Sequence, residues 1–250
     1  MTLHEFGKEN EKILIMIHGA CMSWKNFKEN IRILRKDFHV IAVAVPGHDL
    51  YEFDEFTSME NVAKRIENWL LDNNMTSVDI LYGFSMGGGI ALRLLANEAV
   101  NVKNVILDGG ITPKKYGKMY SKVKLWGNCV FKRFEKKSRK LMSFIFPKDE
   151  YDEKQVDIMH GIIRCMSNRS IKRLYASMDD FSMPIQFPKL DTRFEYWYGS
   201  GEEQFRKSDI RYIKRHIDNV KFRQIPGMDH GQFVMGYPKE FARQIRKLIG

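Results

Sequence analysis

The sequence has little of what marks a disulfide-rich, metal-binding or membrane-spanning protein. Its three cysteines, Cys21, Cys129 and Cys165, lie far apart in 250 residues, and their spacing matches neither a disulfide framework nor a zinc site. No apolar run approaches the roughly 20 residues that a transmembrane helix requires. Residues 1–12 are polar and of mixed charge, unlike a secretory signal. These absences favour a globular protein of the reducing cytoplasm, with no metal site.

Positive charge is concentrated in one segment of the chain. The sequence holds 41 lysines and arginines against 31 aspartates and glutamates. Residues 112–148 contain 12 of the basic residues and a single acid, Glu135, so this segment accounts for the whole excess. A nucleic-acid-binding protein usually spreads its basic residues over a larger surface, and no nucleic-acid-binding motif is present. The charge pattern therefore argues against a nucleic-acid partner.

Short apolar runs alternate with helical patterns along most of the chain. The runs predict strands at residues 13–17, 40–45, 78–82, 105–107, 194–198 and 220–225. The patterns predict helices at residues 59–71, 86–96 and 208–216, and one that begins at Pro238. This alternation predicts an α/β fold, with a mostly parallel central sheet and helices on both faces. Residues 112–190 break the rhythm, so we expect a helical cap inserted into a core domain formed by residues 1–111 and 191–250.

Polar motifs follow the predicted strands, at the edge where ligands bind in sheets of this kind. They are HGA at residues 18–20, PGH at 46–48, GFSMG at 83–87, GSGE at 199–202 and GMDHG at 227–231. A serine, an acid and a histidine thus occur in that order, each just beyond the end of a strand. A serine hydroxyl becomes a good nucleophile when a neighbouring imidazole takes its proton. The motifs therefore predict a nucleophilic site at this edge of the sheet.

Together these motifs resemble the α/β-hydrolase superfamily, in particular its capped esterases and lipases. The resemblance covers nearly the whole chain except the details of the insertion. One G-x-S-x-G would be weak evidence, whereas four motifs in the right order, each after a predicted strand, are specific; these four are HGA, PGH, GFSMG and GMDHG. The resemblance implies that Ser85 lies on a sharp strand-to-helix turn. It also implies that Gly83 and Gly87 are needed because side chains there would collide with the neighbouring strand and helix.

The resemblance also assigns roles to the candidate triad. It implies that Ser85 is the nucleophile, that His230 is its base and that Glu202 orients His230. The family usually has aspartate where this chain has Glu202, which leaves the acid open. Asp108, which follows an earlier strand, is the first alternative, and Glu203 is the second.

The remaining site residues follow from the same resemblance. The backbone N–H groups of Ala20 and Met86 are expected to form the oxyanion hole. The cap is expected to supply specificity, with Trp126, Met159 and Met178 as candidates to line an apolar substrate pocket. The alternative for these apolar side chains is that they form the cap's own core. No metal ion or organic cofactor is implied.

The expected activity is hydrolysis of a small-molecule carboxylic ester through an acyl-enzyme. A thioesterase or an acyltransferase with the same triad is the alternative, since one fold hosts many reactions. A ligand-binding protein that retains the scaffold without catalysis is the third possibility. The motifs specify the chemistry, whereas the cap decides which substrate enters, and they leave the oligomeric state open.

The basic segment has a pattern of its own. Its basic residues between positions 114 and 140 are Lys114, Lys115, Lys118, Lys122, Lys124, Lys132, Arg133, Lys136, Lys137, Arg139 and Lys140. Apolar and aromatic residues are interleaved with them, partly at helical spacing. A basic amphipathic helix is typical of a segment that lies weakly on an anionic membrane or that guides an anionic substrate. A cap surface whose charges only face water is the alternative.

Overall fold

The computed structural model describes residues 1–49, 54–114, 116–147 and 151–249. Lys115 of the basic segment lies outside these residues. The strands are β1 (Leu3–Phe6), β2 (Ile13–Ile17), β3 (His39–Val43), β4 (Ser77–Phe84), β5 (Asn101–Asp108), β6 (Arg193–Gly199) and β7 (Lys221–Ile225). The helices are α1 (Lys28–Leu34), α2 (Met59–Asp72), α3 (Met86–Leu95), α4 (Lys118–Lys137), α5 (Arg139–Ile145), α6 (Glu153–Cys165), α7 (Asn168–Asp179), α8 (Glu203–His216), α9 (Gln232–Gly236) and α10 (Pro238–Arg246).

The seven strands form one sheet in the order β1-β3-β2-β4-β5-β6-β7. Every neighbouring pair is parallel except β1 and β3, which are antiparallel. The predicted fold class, a mostly parallel α/β sheet, is confirmed. The central strands are buried on both faces, which is why they read in the sequence as continuous apolar runs such as ILIMI in β2. β1 lies at the edge and is mostly half-buried, and the sequence pattern did not predict it.

Helices cover both faces of this sheet. Successive residues of a strand point to opposite faces. In β4, the ring of Tyr82 contacts Phe241 of α10 at a centroid distance of 4.9 Å. Its neighbour Gly83 faces Gly87 and Gly88 of α3. Helices α10 and α3 therefore lie on opposite faces, and the Ser85 turn lies at the end of a strand that is enclosed from both sides.

Helices α4 to α7 lie between β5 and β6 in the chain. Two buried hydroxyl groups attach α7 to the chain segment around the start of α2. Ser170 Oγ accepts a hydrogen bond from the N–H of Phe56 (3.1 Å), and Ser177 Oγ accepts one from the N–H of Met59 (2.9 Å). The division into a core domain and a cap at residues 112–190 stays a prediction. Among the described residues, none of the helices combines the length and the apolar character that crossing a membrane requires.

Candidate active site

Ser85 occupies a strained turn between β4 and α3. Its backbone has φ 53° and ψ −115°, a combination that a residue with a side chain adopts only when its surroundings impose it. Those surroundings are backbone hydrogen bonds. The N–H of Ser85 donates to the carbonyl of Asp108 (2.8 Å), and its carbonyl accepts from the N–H groups of Gly88 (3.0 Å) and Ile111 (3.2 Å). The turn is thus fixed to the end of β5.

Two glycines make this turn sterically allowed. A Cβ atom on Gly83 would lie 2.3 Å from the carbonyl oxygen of Gly87, in the first turn of α3. A Cβ atom on Gly87 would lie 2.2 Å from the carbonyl oxygen of Ile17, at the end of β2. Both neighbours are backbone atoms that cannot move aside cheaply. The collisions predicted for side chains at these two positions are confirmed.

His230 and Glu202 meet on the loops that follow β7 and β6. His230 Nδ1 and Glu202 Oε2 are 2.6 Å apart, a short bond of the kind that a charge on one partner produces. The other carboxylate oxygen, Oε1, accepts the N–H of Gly199 (3.1 Å). Glu202 is buried and the side chain of His230 is about one third exposed. The pair therefore has a fixed acid and an imidazole that remains accessible.

The charge on Glu202 is stabilised by its neighbours. Burial raises the pKa of Glu202, but the hydrogen bond and the charge of His230, together with the charge of Arg206, outweigh it, so that this pKa lies below its ordinary value. Arg206 Nε lies 3.0 Å from Glu202 Oε2. The same guanidinium donates to the carbonyl of Gly109 (3.0 Å) and to Asp209 (3.3 Å). Glu202 is thus held as a carboxylate.

Asp209 connects this network to Thr112, which lies shortly after the end of β5. Asp209 is fully buried. Its Oδ1 accepts hydrogen bonds from both the N–H (2.9 Å) and the hydroxyl (2.8 Å) of Thr112. Arg206 therefore connects the acid of the candidate triad with the residue at which the predicted cap begins.

The alternative acids have other partners. Asp108 Oδ2 accepts a hydrogen bond from the hydroxyl of Tyr82 at 2.6 Å, in a fully buried position. Burial, together with the negative charge of Glu202, raises the pKa of Asp108 to about 7 against the lowering effect of Tyr82. Glu203 accepts a hydrogen bond from the side chain of Gln224 at the surface. The geometry thus favours Glu202, although Asp108 lies close to the pair.

Ser85 and His230 border the same cavity of about 150 Å³. Its wall is formed by Ala20, Cys21, Met22, Phe84, Ser85, Lys132, Met142, Phe146, Met159, Ile163, Tyr175, His230 and Met235. Met159, one of the three predicted pocket residues, is among them. Trp126 lines a separate groove of about 690 Å³ between α4 and α7. Met178 is half-buried against the core and lies outside both linings.

The two predicted oxyanion donors flank Ser85. Ala20 lines the cavity. Met86 is the first residue of α3, and the first N–H groups of a helix lack intrahelical acceptors and carry partial positive charge. His18 supports the turn before Ala20. Its Nε2 accepts the N–H of Val45 (3.2 Å), and its Nδ1 lies 2.9 Å from the carbonyl of Gly19.

The protonation of His18 follows from these contacts. Burial, reinforced by neighbouring His48, lowers the pKa of His18 to about 3, so the ring is neutral. Because Nε2 accepts a hydrogen bond, the proton lies on Nδ1, which donates to Gly19. His18 is therefore a support for the turn rather than an acid or base.

A polar cluster in the cavity wall was not predicted from the sequence. Lys132 and Glu135, one turn apart on α4, form a buried ion pair. Cys21 hydrogen-bonds both Lys132 and Tyr175, and burial raises the pKa of its thiol, which is therefore protonated. The signal that could have found this cluster is Glu135, the single acid of the basic segment.

Comparison with known proteins identifies a family that matches this chain. Residues 12–190, more than half of the chain, match the model of the α/β-hydrolase fold. A solved α/β-hydrolase family protein from Desulfitobacterium hafniense is similar over 100% of both chains, with 18% identity and a TM-score of 0.79.

Two solved esterases are also similar to this chain. The esterase EaEST from Exiguobacterium antarcticum has 20% identity and a TM-score of 0.77, over 98% of this chain and 93% of that one. A structure from a study of carboxylesterases of Nitrososphaera gargenis has 17% identity and a TM-score of 0.75, over 99% of this chain and 93% of that one. At these identities the likeness is one of fold.

Proposed function

The chain belongs to the α/β-hydrolase fold family, and on that premise we propose that it is a serine hydrolase that cleaves carboxylic esters. The observation that carries the proposal is the 2.6 Å bond between Glu202 and His230, at a cavity that His230 shares with a serine on a strained turn. A strained backbone at a cavity is typical of a functional residue. The esterases among the similar structures support the choice of ester bonds.

The proposed reaction has two steps. Ser85 Oγ attacks the ester carbonyl carbon while His230 Nε2 takes the hydroxyl proton. The tetrahedral intermediate collapses, and the alcohol leaves with the proton from His230, which produces an acyl-serine. Water, activated in the same way by His230, then attacks the acyl carbon and releases the carboxylic acid and free Ser85.

Each neighbour has a defined part in this reaction. Glu202 accepts the Nδ1 proton of His230, which leaves Nε2 free to act as the base and stabilises the imidazolium that forms. The N–H groups of Ala20 and Met86 stabilise the oxyanion; a single such donor contributes about 10²- to 10³-fold in rate. Arg206 keeps Glu202 charged and in place without contacting the substrate.

The size of the cavity suggests the size of the substrate. A cavity of about 150 Å³ is smaller than the 300–1,000 Å³ that is typical for drug-sized ligands. Most of its wall is apolar, formed by residues such as Met142, Phe146 and Ile163. We therefore propose that esters with a short acyl group are hydrolysed faster than long-chain esters.

A covalent probe tests the nucleophile directly. A fluorophosphonate is expected to label the wild-type protein, and p-nitrophenyl acetate and butyrate to be hydrolysed. Ser85→Ala removes labelling and hydrolysis, whereas Ser182→Ala, at an exposed serine outside the cavity, retains both. An unlabelled wild type would contradict the proposal and favour a ligand-binding scaffold. Faster turnover of acyl-CoA than of the matched ester would favour a thioesterase.

The identity of the acid is tested by a pair of isosteric variants. Glu202→Gln is expected to lower kcat by about 10³- to 10⁴-fold, because an amide donor opposite Nδ1 favours the wrong tautomer of His230. Asp108→Asn keeps the shape of this buried side chain and is expected to stay within a few-fold of the wild type. The reverse order of activities would assign the acid to Asp108 and leave Ser85 and His230 in their roles.

A further inference from the structure

Helix α4 exposes apolar side chains where a helix at a protein surface usually exposes polar ones. Met119, Val123, Trp126 and Phe134 are exposed by 77, 61, 69 and 62%, respectively. At 100° per residue they fall on one side of the helix, and we call this set the outer stripe. Within α4, all of which is described, Glu135 is the one buried residue. The usual arrangement, an apolar face toward the core, is therefore reversed.

The apolar surface extends beyond the outer stripe. Tyr120 and Phe131, exposed by 58 and 46%, lie along one edge of it, and Phe144 of the next helix is exposed by 85%. Exposed apolar side chains that occur singly need no explanation, but a contiguous set along a helix marks an interaction surface. The aromatic and unbranched side chains in this set are typical of helices that lie in a membrane interface.

Basic side chains lie along the other edge of the outer stripe. Lys122 and Arg133 of α4 line the 690 Å³ groove between α4 and α7, together with Arg169 and Lys172 from the beginning of α7. Trp126 of the outer stripe lines the same groove. Arg169 is already paired with the carboxylate of Glu55. The other three cationic side chains, beside an apolar strip, match a phospholipid, whose phosphate is anionic and whose chains are apolar.

Charge also decides between a membrane and a second copy of this chain. Residues 112–148 hold 12 basic residues and one acid. Lys132, Lys124 and Arg139 are paired with Glu135, Asp179 and Asp157, respectively, and Lys122 and Arg133 lie along the edge of the outer stripe. A two-fold dimer through this face would place two strongly basic edges against each other, and the like charges would repel. An anionic bilayer supplies the opposite charge, and each lysine or arginine near such a surface contributes to binding.

We propose that the outer face of α4 docks on the surface of an anionic phospholipid bilayer. The outer stripe enters the headgroup region, and Lys122, Arg133 and Lys172 contact lipid phosphates. Lys132, on the opposite side of α4, lines the cavity that Ser85 borders. Docking therefore brings that cavity close to the bilayer, but the binding itself does not depend on any catalytic residue.

Vesicle sedimentation tests this proposal. The full chain is mixed with vesicles of phosphatidylcholine alone or of equal parts phosphatidylcholine and phosphatidylglycerol, at low and high salt. At least tenfold tighter binding to the phosphatidylglycerol vesicles is expected, with a fall of tenfold or more in 1 M salt because the attraction is screened. Equal binding to both vesicle types, or no binding to either, would overturn the proposal.

Variants locate the surface. The double variants Val123→Glu/Phe134→Glu and Lys122→Glu/Arg133→Glu are each expected to lower binding at least tenfold. Ile185→Glu, at a fully exposed apolar residue outside α4, is the matched control and is expected to bind as the wild type does. Unchanged circular dichroism and unchanged hydrolysis of a soluble ester show that the variants are folded. Wild-type binding by either double variant would contradict the assignment to α4.

A second measurement separates the membrane from a second copy of the chain. Size-exclusion chromatography with light scattering is expected to give the same mass for the wild type and for Val123→Glu/Phe134→Glu. A wild-type dimer that this variant dissociates would assign the outer stripe to self-association and overturn the proposal. Ser85→Ala is expected to bind the vesicles as tightly as the wild type does. This result would show that binding does not depend on the proposed hydrolase activity.

Discussion

Asp108 and Glu202 are neighbouring carboxyl groups whose pKa values are shifted in opposite directions because their partners differ. Glu202 has an imidazole and a guanidinium beside it, which lower its pKa against the effect of burial. Asp108 has one neutral hydrogen-bond donor, Tyr82, and is fully buried, so its pKa rises to about 7. Two acids within one network thus have pKa values shifted in opposite directions, as their different surroundings require.

Asp108 makes the stability of the protein depend on pH. Its pKa rises from the ordinary 3.8 to about 7 on folding. Its stabilising contribution is therefore complete below pH 3.8 and is lost as the pH rises through 7. Asp108→Asn cannot ionise. The wild type therefore loses stability relative to Asp108→Asn as the pH rises. We expect the difference between their free energies of unfolding, variant minus wild type, to increase from pH 5 to pH 8 by at most roughly 1.4 kcal/mol per pH unit.

Urea unfolding of both proteins at each pH measures this difference. The comparison with Asp108→Asn is needed because two histidines act in the opposite direction. The pKa values of His18 and His48 fall to about 3 and about 4 on burial, so their contribution is present above pH 6.5 and is lost on acidification. They are common to both proteins and cancel. A constant difference between pH 5 and pH 8 would contradict the prediction.

At the candidate site, the sequence predicts single positions better than it predicts contacts between distant residues. Ser85, Glu202 and His230 lie in short motifs that follow strands. The alternation of strands and helices predicts a parallel sheet, so these three residues are expected at the same edge of it. The cluster of Cys21, Lys132 and Tyr175 depends on how α4 and α7 dock on the core. No local pattern encodes that docking, so the sequence does not distinguish Lys132 from the other basic residues of its segment.

At the scale of elements, strands enclosed on both faces are the most predictable. β2 was predicted with the observed bounds, because all its residues are apolar and its flanks are polar. β1 combines Leu3 and Phe6 with two polar residues at a half-exposed edge, a pattern that is too short to stand out. The helix α1 also went unpredicted. For α4 the difficulty is different. The helical spacing of its apolar residues is visible in the sequence, but the sequence does not show that these side chains face away from the core.

Two helical glycines are expected to respond in opposite ways to a methyl group. Gly127 lies inside α4, and a Cβ atom there would meet nothing within 4 Å. Gly127→Ala is therefore expected to raise the melting temperature, since alanine favours a helix over glycine by up to about 1 kcal/mol. Gly87→Ala in α3 is expected to lower it strongly, because its Cβ would lie 2.2 Å from the carbonyl oxygen of Ile17.

Thermal unfolding followed by circular dichroism measures both changes. The two variants are matched, since each adds one methyl group to a helix. A melting temperature of Gly127→Ala below that of the wild type would mean that α4 is not held as a regular helix at this position. A Gly87→Ala variant with wild-type stability would show that the turn at Ser85 can relax.

At the scale of the whole molecule, burial is distributed unevenly. Every residue of β3 is buried, whereas α4 buries only Glu135. Segments with few buried contacts open more easily than those that are enclosed. We therefore expect the amides of α4 to exchange hydrogen for deuterium faster than those of β3, in support of the predicted division into core and cap.

Hydrogen exchange followed by mass spectrometry of peptides measures this difference within one protein. Ile13–Ile17 of β2, which has the same burial as β3 in four of its five residues, serves as an internal reference. Simultaneous exchange of α4 and of both strands would indicate a single cooperative unit and contradict the division at residues 112–190.

The contacts of Arg206 and Asp209 also have a consequence for how such a protein can change over evolutionary time. They link Glu202, which pairs with Arg206, to Thr112, which donates a hydrogen bond to Asp209, so the chain leaves the sheet at a point that is tied to the acid of the candidate triad. Everything beyond Thr112, up to the return of the chain at β6, can then be exchanged for another segment while the acid keeps its position. Under the proposed function, such an exchange is expected to change which substrates enter, while Glu202 keeps its bond to His230.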